Sequence, residues 1–164
     1  MTTKVYDAVI IGAGSVGLPT ALFLAEAGLH PLVIDQFASP GQGSNKAAIG
    51  GIRATHSAGS KIRLCLESIE IFSTWEEVYG DDIEWHRGGY SFVAYREREE
   101  QALKDLLDIQ QEFWLDIRWL NRDDLLEEIP DLNPKNLIGG TYSPKDGSAS
   151  PLLSAHAFYT RANE

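Results

Sequence analysis

Three glycines and one aspartate near the start of the chain carry the clearest chemical signal. The glycines are spaced as Gly12-x-Gly14-x-x-Gly17, and Asp35 closes the next apolar run. In this pattern the first glycine permits a tight turn, the second lets a pyrophosphate approach the backbone, and the third allows close packing of helix and strand. The carboxylate is placed to accept hydrogen bonds from an adenosine ribose. The spacing therefore predicts a site for an adenine dinucleotide and leaves open whether that is NAD or FAD.

The elements that must position these residues form a βαβ unit. The apolar residues 8–11 predict a buried parallel strand, and a helix is expected over about Ser15–Ala27, where Gly28 stops it. The second apolar run ends on Asp35. Free N–H groups and the dipole at the start of the helix favour the charge of a phosphate group.

The pattern changes after this unit. Aromatic and β-branched residues on both sides of Gly88-Gly89 predict two strands, and Trp114 is interpreted as a core residue. Because a self-contained doubly wound domain continues with alternating strands and helices, the nucleotide-binding fold is expected to be incomplete. The other elements expected from periodicity and stop signals are helices over about 60–79, 97–114 and 154–164, a short helix after Asn121, and strands near 117–120 and 137–142.

Composition narrows the class of protein. The chain has 164 residues and a formal net charge of −10, which argues against a nucleic-acid or anionic-membrane surface. One cysteine, Cys65, excludes an intrachain disulfide and is interpreted as a core residue. The apolar start is too short for a signal peptide, and no apolar run approaches the length of a membrane span. We therefore expect a cytoplasmic protein without a membrane span.

The chain resembles the N-terminal part of a known family, the FAD-dependent amine oxidoreductases that include D-amino acid oxidase, glycine oxidase and sarcosine oxidase. The resemblance rests on four segments in the same order as in the family: residues 7–17 with Asp35, residues 44–53, residues 88–93 and residues 146–151. It implies an α/β fold, with an incomplete Rossmann-like FAD-binding βαβ core followed by the beginning of a mixed α+β substrate domain. The expected division is a discontinuous FAD-binding part at 1–80 and 145–164, and the start of a substrate domain at 81–144.

The resemblance also implies which residues hold FAD. The glycine loop would contact the pyrophosphate, Asp35 and Gln36 the adenosine, and the small residues of the 44–53 segment the pyrophosphate, the ribityl chain and the flavin ring. The cofactor-binding residues expected on this basis are Gly12, Gly14, Ser15, Val16, Gly17, Asp35, Gln36, Ser44, Asn45, Lys46, Ala47, Gly50 and Gly51. No metal site is expected.

By the same resemblance, the function expected is oxidation of the C–N bond of a small amine or amino acid, similar to glycine, sarcosine or proline, to an imine. The electron acceptor is left open between oxygen and a redox partner. Arg53 and His56 are the candidate catalytic residues; Arg53 could bind a substrate carboxylate or pair with a nearby acid.

Two alternatives stay open at this point. One is an NAD(P)-dependent dehydrogenase, which the fingerprint allows equally. The other is a catalytically inert module, because family members run to more than twice this length and the isolated chain would then lack the residues that face the amine. Missing strands would also leave a sheet edge uncovered, which favours self-association.

Overall fold

The computed structural model describes residues 4–164, so the first three residues of the predicted FAD-binding part lie outside the described residues. The elements in chain order are β1 Ala8–Ile11, α1 Gly17–Glu26, β2 Pro31–Ile34, a 3₁₀ turn at Ser44–Ala47, β3 Gly51–Ile52, α2 Gly59–Tyr79, β4 Tyr90–Ala94, α3 Glu97–Glu112, β5 Arg118–Asn121, α4 Arg122–Glu128, β6 Gly139–Ser143, β7 Gly147–Ser148 and α5 Pro151–Arg161. No helix within residues 4–164 combines the length and apolar character needed to cross a bilayer.

The chain divides into two compact units. The first comprises the chain up to Gly51, with Trp75–Glu84 and Ala149–Glu164; the second comprises Ile52–Thr74 and Trp85–Ser148. Helix α2 therefore begins in the second unit and ends in the first. The domain division expected from the sequence stays a prediction.

The first unit contains the expected βαβ arrangement. Strands β1 and β2 pair in parallel, from Ala8 opposite Pro31 to Ile11 opposite Ile34. Helix α1 connects them, and its buried residue Leu22 belongs to the face that packs towards the interior. Helix α5 packs against α1. Small buried residues on both helices allow the close approach: Ala21 on α1, and Ala155 and Ala157 on α5.

The second unit is built on a three-stranded antiparallel sheet of order β4-β6-β5. The central strand β6 begins with Gly139 and Gly140. A Cβ at Gly140 would approach the Leu125 side chain to 3.0 Å, and one at Gly139 would approach the indole of Trp119 to 2.8 Å. Two glycines at these positions therefore let neighbouring side chains lie directly on the sheet. The hydrophobic clusters of this unit are centred on buried residues that include Ile62, Ile69, Leu115 and Ile117 in one and Leu120, Leu125 and Leu137 in the other.

Two local predictions are wrong. Residues 83–87 do not form a strand, because Glu84 has a φ of 55° and interrupts the extended backbone, so that only His86 forms an isolated bridge, to Ser148. Trp114 is not a core residue: α3 ends at Glu112, Trp114 takes a left-handed conformation with a φ of 59°, and its side chain is 83% exposed. Periodicity continued past the end of the helix is what placed Trp114 on the inner face.

Candidate functional site

A cavity of about 630 Å³ lies in the first unit, at the carboxyl ends of β1 and β2. Three stretches of chain line it: the turn from β1 into α1 at residues 11–17, the end of β2 with the residues after it at 34–37, and the start of the 3₁₀ turn at 43–45. Open parallel sheets bind their ligands at this edge, outside the carboxyl ends of the strands. The volume lies in the range of small-molecule and cofactor sites.

The three glycines of the fingerprint have three different environments. Gly12 has a φ of 110°, a conformation that side chains with a Cβ rarely adopt, and it makes the turn out of β1. A Cβ added at Gly14 would meet no atom within 4 Å, so this residue leaves open space beside the cavity. A Cβ at Gly17 would overlap the carbonyl oxygen of Gly12 and lie 3.1 Å from Ile10 Cγ2. The loop thus fits a pyrophosphate close to the backbone at Gly14.

The start of α1 is free of competing anions. Val16 is its N-cap and its side chain accepts no hydrogen bond, and no acidic residue lies in the first turn. The first N–H groups of a helix lack partners within the helix and favour negative charge. Together with the open space at Gly14, this end of α1 can hold a phosphate.

Asp35 is fixed at the other side of the cavity by two backbone N–H groups. Ala13 N donates to Oδ2 at 2.6 Å, and Phe37 N donates to Oδ1 at 2.8 Å. These bonds, that of Ala13 first, lower the pKa of the carboxyl group, so that it is ionised at neutral pH. An exposed, ionised carboxylate with free lone pairs can accept further hydrogen bonds from ribose hydroxyl groups.

The segment from Gly41 to Gly50 contributes the third side of the cavity through its residues 43–45, and its other residues lie outside the cavity. Gly41 N donates to the carbonyl of Ala13 at 2.8 Å, which joins this segment to the glycine loop. Asn45 Nδ2 donates to the carbonyl of Pro151 at 2.7 Å. Gly50 has a φ of 78°, and its carbonyl accepts from Ala149 N at 3.0 Å.

The structure brings most of the expected cofactor-binding residues to this one cavity. Those that line it are Gly12, Gly14, Ser15, Val16, Gly17, Asp35, Gln36, Ser44 and Asn45; those that do not are Lys46, Ala47, Gly50 and Gly51. Sequence reasoning missed five lining residues, Ile11, Ala13, Ile34, Phe37 and Gly43. All five directly flank expected residues: Ala13 lies between Gly12 and Gly14, and the other four lie one position outside an expected segment, so including the immediate neighbours of each segment would have found them.

Arg53 lies in the second unit, beside two neighbouring aromatic rings. Its Cζ is 5.4 Å from the ring centroid of Tyr90 and 5.2 Å from that of Phe92. Nη1 donates to the Thr55 carbonyl and, at 3.2 Å, to Thr55 Oγ1. Within residues 4–164 no carboxylate forms an ion pair with Arg53. A half-buried guanidinium that forms no ion pair retains donors for an external anion.

His56 and Asp146 also belong to the second unit. Burial, with smaller contributions from Arg53 and Lys61, lowers the pKa of His56 and keeps its imidazole neutral at pH 7. Asp146 is fully buried and its Oδ1 accepts from Ala54 N at 3.2 Å. Burial raises the pKa of Asp146 to about 6, although the bond from Ala54 acts in the opposite direction. Asp146 thus holds the backbone next to Arg53.

The structure does not support a cysteine nucleophile or a metal site within the described residues. Cys65 is a half-buried free thiol whose pKa is raised, chiefly by burial, which makes it a poor nucleophile at neutral pH. No group of three or more His, Cys, Asp or Glu residues among residues 4–164 is arranged to hold a metal ion.

Comparison with protein families decides between the dinucleotides that the fingerprint allows. The sequence profile of the family described as "FAD dependent oxidoreductase" matches residues 7–164. The chain belongs to this family. The family resemblance expected from the sequence is therefore confirmed, and the family is one that depends on FAD, which disfavours the nicotinamide alternative.

Individual relatives are similar over most of this chain. The mitochondrial dimethylglycine dehydrogenase of Rattus norvegicus is 25% identical over 158 residues, which are 96% of this chain and 18% of that protein. The glycine oxidase of Bacillus subtilis is 23% identical over 163 residues, 96% of this chain and 42% of that protein. The chain thus spans less than half the length of these relatives.

Solved structures match the fold over almost the whole chain. L-proline dehydrogenase from P. horikoshii superimposes with a TM-score of 0.91 and 27% identity, over 99% of this chain and 42% of that one. Glycine oxidase from Bacillus cereus gives a TM-score of 0.78 and 32% identity, over 97% of this chain and 44% of that one. The prediction of an α/β fold with an incomplete Rossmann-like FAD-binding core is confirmed.

Proposed function

We propose that this chain is the FAD-binding part of an oxidoreductase and that the cavity at the ends of β1 and β2 holds the ADP half of FAD. One observation carries the proposal: open space at Gly14, tight packing at Gly17 and an ionised Asp35 surround the same cavity. These are the three features that binding of an adenosine diphosphate group requires.

In this proposal the residues of the chain bind and orient the cofactor. The backbone at Gly14, Ser15 and Val16 donates to the pyrophosphate, and Asp35 with Gln36 accepts from the adenosine. Ser44 and Asn45 close the cavity, while Lys46, Ala47, Gly50 and Gly51 continue from it towards the ribityl chain and the flavin ring. Bound FAD supplies the acceptor for a hydride, which no protein side chain can provide.

The substrate class proposed is a small amine or amino acid, oxidised at its C–N bond to an imine. The names of the relatives support it, since they include a glycine oxidase, a dimethylglycine dehydrogenase and an L-proline dehydrogenase. Each of these names specifies a substrate with a carboxylate. The guanidinium of Arg53, which forms no ion pair with a carboxylate within residues 4–164, suits a carboxylate, and we assign it that role.

Three further expectations belong to the proposal. The 164-residue chain binds FAD without turning over an amine, because it spans less than half of its relatives. The chain self-associates through the β1–β2 pair, whose outer edges bond to no other strand among residues 4–164.

A cytoplasmic location stays a prediction, which cell fractionation checks. Relatives named as oxidases and as dehydrogenases both occur, so no electron acceptor is assigned.

Calorimetric titration of the chain with FAD, ADP and FMN tests the binding. We expect FAD and ADP to bind and to compete with each other, since both carry the adenosine diphosphate that fills the cavity. FMN lacks the adenosine and is expected to bind at least tenfold more weakly. Binding of FMN as tight as that of FAD would place recognition at the flavin and contradict the proposal.

Anaerobic mixing of the FAD-loaded chain with glycine, sarcosine or L-proline tests the expected lack of turnover. Loss of the flavin absorption near the visible maximum reports hydride transfer. We expect the absorption to persist for hours. Bleaching by any of these amino acids would mean that the 164 residues already contain a complete catalytic centre.

A further inference from the structure

The wall of the cavity at residues 43–45 is fastened to the start of α5. Three contacts join residues 41–50 to residues 149–155, which both belong to the first unit. Asn45 Nδ2 donates to the Pro151 carbonyl at 2.7 Å, Gly50 accepts from Ala149 N at 3.0 Å, and Gly41 packs so closely that an added Cβ would lie 3.0 Å from Ala155 Cβ. Residues far apart in the sequence therefore support the loop that faces the cofactor cavity.

Asn45 is the side chain at the centre of this contact. It lines the cavity, it is half-buried, and its amide group bonds to a residue 106 positions away. The backbone carbonyl of Asn45 accepts a hydrogen bond from Ala48 N at 3.1 Å, which closes the 3₁₀ turn. The side chain thus fixes the position of the turn against α5, while the backbone carbonyl of the same residue closes the turn.

The loop is held on its other side as well. Gly41 N donates to the Ala13 carbonyl at 2.8 Å, so the same segment bridges the glycine loop and α5. A wall fixed at both ends keeps its backbone in place before a ligand arrives. Preorganisation of this kind raises affinity because the ordering of the loop does not have to accompany binding.

We propose that Asn45 is a positioning residue, which through its bond to the Pro151 carbonyl holds the 43–45 wall in the binding geometry before FAD is present. The bond between Asn45 and Pro151 forms within this chain and needs no ligand. The expected effect of this bond on FAD affinity rests on the proposed function of the cavity, whereas its effect on the order of the 43–45 loop does not.

The test measures both effects in the 164-residue chain. Amide hydrogen exchange of Ala48, followed by NMR without FAD, reports whether the 3₁₀ turn is held. Calorimetric titration with FAD reports affinity. In Asn45→Ala we expect faster exchange at Ala48 and a loss of FAD affinity of about fivefold, which corresponds to one ordinary hydrogen bond.

Two further variants separate positioning from direct contact. Gly41→Ala places a methyl group 3.0 Å from Ala155 Cβ and 3.1 Å from Asn45 Nδ2, yet Gly41 does not line the cavity; we expect it to change exchange and affinity in the same directions as Asn45→Ala. Asn121→Ala is the matched control, since Asn121 caps α4 in the second unit and should alter neither measurement.

The outcomes are distinguishable. Unchanged exchange at Ala48 in Asn45→Ala without FAD overturns the proposal, and weaker FAD binding in that case would identify Asn45 as a direct contact. If the wild-type chain binds no FAD, the proposed function fails, and the exchange at Ala48 alone decides whether Asn45 holds the turn.

Discussion

Gly14 and Gly17 are the same residue type in one motif, but a methyl group would have opposite consequences at the two positions. At Gly14 it would lie within 4 Å of no atom of the described residues, and at Gly17 it would overlap the Gly12 carbonyl. We predict that Gly14→Ala weakens FAD binding at least tenfold and changes the free energy of unfolding by less than about 0.5 kcal/mol. Gly17→Ala should lower that free energy by about 1–3 kcal/mol. Urea unfolding and calorimetric titration check both variants, and equal stability losses would contradict this reading of the loop.

Asp146 gives a pH dependence with a defined sign. Burial raises the pKa of this carboxyl group from 3.8 to about 6, so the folded chain binds its proton more tightly than the unfolded chain does. Its contribution to stability is therefore complete below about pH 4 and is lost as the pH rises to about 6, by about 2–3 kcal/mol.

The variant Asp146→Asn removes this titration and keeps an oxygen that can accept from Ala54 N. We predict that Asn at this position makes the chain more stable than the wild type at pH 7.5 and that most of this advantage is lost at pH 4.5. Urea unfolding of both chains at the two pH values measures the difference. A wild-type chain that equals the variant at both values would mean that Asp146 is ionised without cost in the folded chain.

At the scale of elements, the pair β1–β2 has an aspartate at each end. Asp7 precedes β1 and accepts from His30 N at 2.8 Å; Asp35 follows β2 and accepts from Ala13 N at 2.6 Å. Both carboxylates thus join the same two strands, but only Asp35 lines the cavity. We predict that Asp35→Ala weakens binding of FAD and ADP by roughly tenfold or more, whereas Asp7→Ala leaves both affinities unchanged. Calorimetric titration of the two variants distinguishes a role in the site from a role in the strand pair.

Elements with a local signal could be predicted from the sequence. The first strand was expected at residues 8–11 and lies there, and Asn121 caps a short helix as its side-chain chemistry predicts. The contact between residues 41–50 and α5 could not be predicted, because its partners lie about a hundred positions apart and share no periodicity. The false strand at residues 83–87 has a similar origin, since β propensity does not register the positive φ of Glu84.

The same distinction applies to the candidate site. Gly12, Gly14, Gly17 and Asp35 were placed together because their roles follow from one continuous βαβ unit. Only the family resemblance predicts Lys46 beside them, and the structure places it outside the cavity, with Nζ 6.0 Å from the ring centroid of Phe37. Whether a loop residue faces the cavity depends on the contacts that support the loop, and here those contacts come from α5, which the sequence of the loop does not reveal.

At the scale of the whole molecule, exposed apolar surface favours self-association and the net charge opposes it. Val9 on β1 is 59% exposed, and the β1–β2 pair has unpaired edges within the described part of the chain. The net charge of −10 repels a second copy. We predict a monomer–dimer equilibrium that shifts towards the dimer as salt is added, and towards the monomer in Val9→Glu, which removes an apolar side chain and adds a negative charge. Sedimentation velocity at 50 and 500 mM salt checks both; a monomer at every concentration would contradict the proposed self-association.

The bond between Asn45 and Pro151 cannot form until both residues have been translated. The two residues are 106 positions apart, which a ribosome covers in about 5–20 s at typical rates. During that interval the glycine loop and Asp35 are already made, while the opposite wall of their cavity still lacks its support. We therefore expect the nascent chain to reach its full affinity for FAD only once the start of α5 has been translated, although the fingerprint is translated first.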